Sequence, residues 1–133
     1  MSGQGSKRVA VIAGDGIGPE VVESALEVLR AAGVSLDLVH FEIGLGRWKR
    51  TGEAMDEDDL EEISGCDCIL LGAITTPPDP NYRSVLLRLR RALDLYANIR
   101  PFQSHDLDFI IVRENTEGLY SGVEEVGAEE SHT

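Results

Sequence analysis

Apolar residues fall in short runs separated by glycine, proline and acidic clusters, and the period of the runs alternates between strand and helix. Residues 8–13, RVAVIA, form a nearly continuous apolar run that predicts a buried strand, ending in the turn Gly14-Asp15-Gly16-Ile17-Gly18. Pro19 suits a first helical position. Val21, Val22, Ala25, Leu26 and Leu29 then recur at helical spacing, and Gly33 is placed to end that helix. A second strand over 36–42 completes β-α-β. After a loop containing Trp48, Asp56 caps a short acidic helix running through Ile63, and 68–72 predicts a third strand. The breaker-rich TTPPDPN precedes a helix over 82–95, and 96–100 and 109–112 are two further strands.

Strands alternating with helices predict an α/β protein built on a parallel sheet. Residues 101–108 suit a crossing toward a second unit, so 1–100 is expected to belong to one large domain and 101–133 to begin another. The ending VEEVGAEESHT has no periodicity and is expected to fray. A sheet that stops after one strand of a new unit leaves an apolar edge uncovered, which leads to the expectation of a truncated chain.

The 133 residues are 42% hydrophobic, enough for a core. No run approaches a membrane span, and MSGQGSKRVAV lacks the apolar stretch of a secretory signal, so a cytoplasmic location is expected. A net charge of −12 argues against nucleic acid or an anionic membrane as partner. Two lysines against ten arginines, with acids crowded into stretches such as DEDDLEE, suit a protein soluble in concentrated salt. Cys66 and Cys68 form a C-x-C inside an apolar run and are expected to be buried free thiols, with no further Cys or His placed to make a metal site.

Against this acidic background, 83–113 holds six of the twelve basic residues, and Arg90, Arg100 and Arg113 frame LRLRRALDLYANIRP and FIIVRENTEGLY. Such local cation suits a substrate with several carboxylates, for which the guanidinium fork is better shaped than an ammonium. The glycine turn superficially matches a dinucleotide fingerprint, with Glu42 where a ribose-binding acid would lie, yet G-x-G-x-G-P is not G-x-G-x-x-G. Consecutive acids at 56–59 point different ways around a helix and suit a solvated face better than a metal site.

The string AGDGIGPEV, followed in order by LLGAITTPP, LDLYANIRP and IVRENTEGLYSG, resembles the isocitrate and isopropylmalate dehydrogenase family from about Arg8 to Gly122. The likeness extends only to the N-terminal part of a member. It implies an incomplete α/β, parallel-sheet, isopropylmalate dehydrogenase-like fold, which in full is a two-domain homodimer. It also implies oxidation of a 2-hydroxy acid with NAD or NADP, and decarboxylation with help from Mg2+ or Mn2+.

By the same resemblance, Arg90, Arg100 and Arg113 bind substrate carboxylates and Tyr120 donates a proton to the enol left by decarboxylation. Ser84 and Leu86 face the variable part of the substrate, and Ile17, Ile74, Thr75 and Thr76 line the nicotinamide end of the cofactor site. Leu86 favours an apolar group, making 3-isopropylmalate, of leucine biosynthesis, the first choice. Arg83 suits a third carboxylate and keeps isocitrate and homoisocitrate open. The general-base lysine, the metal-binding aspartates and the adenosine loop are expected outside 1–133. An inactive dicarboxylate-binding fragment is therefore an alternative from another class.

Overall fold

A computed structural model describes residues 6–120, 125–126 and 131–132. The chain divides into two compact units, Met1–Val85 and Leu86–Thr133.

The first unit is a three-stranded parallel sheet in the order β2-β1-β3, with β1 at Lys7–Gly14, β2 at Leu36–Phe41 and β3 at Cys68–Ala73. Val9 to Ile12 are buried because β1 is the central strand, covered on both faces. Helix α1, Gly18–Ala31, carries Pro19 in its first turn and buries Val22 and Leu26 at one-turn spacing. These two pack with Val9 and Val11, and Leu29, Leu36, Leu38 and Leu70 close the cluster.

Two shorter helices follow β2. Helix α2, Leu45–Thr51, occupies the segment around Trp48 that the sequence pattern marks as loop. Helix α3, Glu57–Ser64, begins at Asp56 as expected. Its capping box is complete: the Asp59 N–H donates to Asp56 Oδ1 at 2.8 Å, and the Asp56 N–H donates to Asp59 Oδ2 at 2.9 Å. Asp56 and Asp59 are therefore more than a solvated face, since Arg47 of α2 forms ion pairs with both. The backbone N–H of Asp59 and the Arg47 guanidinium hold Asp56 below the usual carboxylate range.

The cysteines depart from expectation. Both are free, but Cys66 lies in the turn before β3 and is half-buried, while Cys68 is exposed on β3.

Helix α4 is Val85–Ala92, shorter than the expected 82–95. Before it, the Tyr82 N–H donates to the Asp79 carbonyl at 3.0 Å and forms a turn. After it, Asp94 adopts φ 50°, a left-handed conformation that a short polar side chain tolerates, and the Leu95 N–H reaches back to the Arg90 carbonyl at 2.8 Å.

Strands β4, Ala97–Gln103, and β5, Asp108–Glu114, form an antiparallel ribbon rather than an extension of the parallel sheet. Pro101 sits within β4, where a two-stranded ribbon leaves one side of each strand without a ladder partner. A 3-10 turn follows at Gly118–Tyr120. The segment expected to fray contains a short antiparallel pairing of β6, Glu125–Val126, with β7, Ser131–His132. Among the described residues no helix is long and apolar enough to cross a membrane.

Candidate functional site

The candidate residues form two groups, one in each unit. In the second unit, register brings arginines together: Asn98 pairs with Arg113 and Arg100 with Ile111. Alternation along each strand therefore puts Asn98, Arg100 and Arg113 on one face, with the two arginines as diagonal neighbours. Asn98 orients one of them, accepting from Arg100 Nε at 2.6 Å. Asn115 orients the other, accepting from Arg113 Nη2 at 3.2 Å while its Nδ2 donates to the Leu95 carbonyl at 3.1 Å.

Tyr120 joins this group through its ring. The Arg113 guanidinium lies 5.2 Å and that of Arg90 5.7 Å from the ring centroid, within cation–π range. Arg91 Nη2 donates to the Tyr120 carbonyl at 3.3 Å and steadies its backbone. Arg113 Nε is buried and has no hydrogen-bond partner among the described residues. Such an N–H costs free energy until an acceptor arrives, and a carboxylate is the acceptor whose geometry fits a guanidinium. On α4, Leu86 and Arg90 are one turn apart on the same face, both half-buried.

The turn that delivers Tyr120 is fastened by Glu114. Its carboxylate accepts from the Thr116 N–H at 2.8 Å, the Thr116 hydroxyl at 2.9 Å and the Glu117 N–H at 2.8 Å. Led by the Thr116 N–H, these bonds hold its pKa at about 2.

In the first unit, the glycine turn and the segment after β3 meet at the carboxyl ends of the strands, where open α/β sheets bind ligands. The Asp15 N–H donates to the Ala73 carbonyl at 2.6 Å. Gly14 has φ +77°, and a Cβ there would lie 2.1 Å from that carbonyl and 2.9 Å from Ile74 Cδ1, so the contact demands glycine. Ile17 is exposed, Ile74 half-buried, and Thr75 and Thr76 exposed. Ser84 is half-buried immediately before α4. Arg83 is exposed, just before α4. Glu42, the acid of the dinucleotide-fingerprint alternative, is engaged by Arg50 at 2.7 Å.

Sequence reasoning missed Asp15, Asn98, Asn115 and Glu114. Asp15 and the Asn115 bond to Leu95 depend on partners that only the fold brings near, whereas Asn98 and Glu114 bond residues two or three positions away and carry no distinguishing signal in their type. Among the described residues no three His, Cys, Asp or Glu side chains gather as a metal site.

Comparisons with known proteins bear on the family and the fold. The family model for isocitrate/isopropylmalate dehydrogenase matches residues 8–133. An isocitrate/homoisocitrate dehydrogenase of Pyrococcus horikoshii is 51% identical over 118 residues, covering 86% of this chain and 34% of its own. A 3-isopropylmalate/3-methylmalate dehydrogenase of Methanocaldococcus jannaschii is 44% identical over 126 residues, covering 88% and 36%. Among solved structures, a β-decarboxylating dehydrogenase of Thermococcus kodakarensis superposes with TM-score 0.77 at 45% identity, over 94% of this chain and 39% of that one. Isocitrate dehydrogenase of Methylococcus capsulatus gives TM-score 0.81 at 36% identity, over 95% and 40%. The chain thus spans about a third of the length of the curated relatives it matches. With the family model matching residues 8–133 and solved relatives sharing the fold, the chain belongs to the isocitrate/isopropylmalate dehydrogenase family.

Proposed function

We propose that this chain supplies the substrate-carboxylate clamp and the nicotinamide-facing loops of an NAD(P)-dependent oxidative decarboxylase acting on a 2-hydroxy di- or tricarboxylic acid. Residues 1–100 would contribute to the large domain and 101–133 to the second, in a cytoplasmic homodimer. The observation that carries the reading is the grouping of Arg90, Arg113 and Tyr120, with Arg100 on the same ribbon face as Arg113 and, among the described residues, no hydrogen-bond partner for the buried Arg113 Nε.

In this reading the arginines take the carboxylates, charge against charge, and fix the hydroxyl-bearing carbon. A nicotinamide, when bound, would supply the hydride acceptor for that carbon. Ile17, Ile74, Thr75 and Thr76 present the apolar and hydroxyl surface against which the ring would lie. Once the β-carboxylate has left as CO2, Tyr120 gives its phenolic proton to the enol carbon.

Leu86, on the same face as Arg90, supports 3-isopropylmalate as substrate, since an apolar contact leaves an extra carboxylate unpaired. Arg83, together with the isocitrate/homoisocitrate relative at 51% identity, supports isocitrate or homoisocitrate as the second reading.

The test is metal-dependent reduction of NAD and NADP with each of the three acids, in molar salt. The 133-residue chain is assayed beside a version continued through the downstream reading frame. Turnover of one acid by the continued version is the expected result and names the substrate. Silence of both, with binding of malate-like acids retained, would replace an enzyme by a dicarboxylate-binding module.

A further inference from the structure

We propose that Asp15 is a positioning residue for the cofactor-facing loops, holding them as one surface through a single carboxylate. Oδ2 accepts from the Thr75 N–H at 3.0 Å and from the Leu45 N–H at 3.0 Å, and Oδ1 accepts from the Gly46 N–H at 3.1 Å. Three segments far apart in sequence therefore converge on one side chain: the glycine turn, the strand-exit loop at Ala73–Thr75 and the first turn of α2. The Asp15 N–H bond to the Ala73 carbonyl closes the junction from the other side.

The geometry is selective for aspartate. All three partners are N–H donors, so the site needs an acceptor with two oxygens; asparagine would turn an NH2 group toward one of them. Glutamate is a methylene longer, and the space is already filled: a Cβ on Gly44 would lie 2.7 Å from Asp15 Oδ2. Helix α2 has no cap from its own N-cap residue, Gly44, so Asp15 also performs that role from thirty positions upstream. Trp48, the one tryptophan of the sequence, lies on α2 and meets Tyr82 edge-on, with centroids 5.5 Å apart. Its emission therefore reports on the junction.

The inference rests on the reading of Thr75 and its neighbours as nicotinamide-facing. It is tested with Asp15→Asn and Asp15→Ala in the polypeptide that reduces NAD(P) in the assay above. The dinucleotide KM and its equilibrium Kd are expected to rise about tenfold or more, as for the loss of one hydrogen bond to a charged group, while the KM of the hydroxy acid stays within about twofold. Trp48 emission shifts in both variants. Where the variants do not fold, amide exchange of the parent protein decides: Thr75, Leu45 and Gly46 are expected to be protected to the same degree and to gain protection together when the dinucleotide is added. Unchanged dinucleotide affinity in Asp15→Asn, or exchange at Thr75 that is independent of Leu45 and Gly46, overturns the proposal. If no polypeptide in that assay reduces NAD(P), the underlying reading fails instead, and the two failures are distinguishable.

Discussion

Asn115 offers a measurement that separates stability from substrate binding. It is 5% exposed, and its amide bridges the Leu95 carbonyl at 3.1 Å and Arg113 Nη2 at 3.2 Å. Asn115→Ala removes both bonds. The Leu95 carbonyl forfeits a neutral hydrogen bond, and the half-buried guanidinium forfeits a partner that water replaces only in part, so the loss is about 1–3 kcal/mol in total. Urea unfolding should show that loss as a lower midpoint at unchanged slope. The functional effect is separable: an Arg113 without lateral support should raise the KM of the hydroxy acid about fivefold to tenfold, with the dinucleotide KM unmoved. Asn115→Asp sharpens the test. A carboxylate of the same shape grips Arg113 harder but engages the charge the substrate needs, and it has no N–H for the Leu95 carbonyl. Its KM for the hydroxy acid should exceed that of Asn115→Ala. An Asn115→Asp enzyme with wild-type or lower KM would refute the claim that Asn115 holds Arg113 ready for a carboxylate.

Three further outcomes follow from the same structure. Leu26, 1% exposed against Val9, Val11 and Val22, should cost about 2–5 kcal/mol when changed to Ala, whereas Val21→Ala on the exposed face of α1 should be near neutral in the same unfolding assay. Glu114 has a folded pKa of about 2 against an ordinary 4.5. Because the folded value is the lower one, its contribution is complete above about pH 4.5 and is lost as pH falls toward 2; Glu114→Gln should flatten that part of the stability profile. With a net charge of −12, repulsion among surface acids should relax as the Debye length shrinks from about 10 Å at 0.1 M salt to about 3 Å at 1 M. Circular dichroism should then report a more stable fold in molar KCl, and indifference to salt would count against a salt-adapted surface.

What could be read from the sequence was whatever local chemistry decides. Pro19 opening α1, Asp56 capping α3 and the apolar run of β1 all work through neighbours within a few residues, and the structure bears each of them out. Helix α2 was hidden because its cap is not local: Leu45 and Gly46 receive their acceptor from Asp15, and without that bond LGRWKRT offers only Leu45 and Trp48 as an apolar pattern. The early stop of α4 depends on Asp94 accepting a left-handed backbone, a conformation that composition permits but does not demand. Cys68 is exposed although its strand pattern is apolar, because β3 is an edge strand among the described residues and only β1 is covered on both sides. The site divides in the same way. Arginines in an acidic chain were conspicuous, and a charge clamp is chemistry carried by residue type. The groups that aim it, Asn98 on Arg100, Asn115 on Arg113 and Glu114 on the Tyr120 turn, are ordinary polar residues two or three positions from their partners, and nothing in their residue type singles out those bonds from the others such residues make. Residue type announces which charges a site uses, whereas the strand register decides where they point.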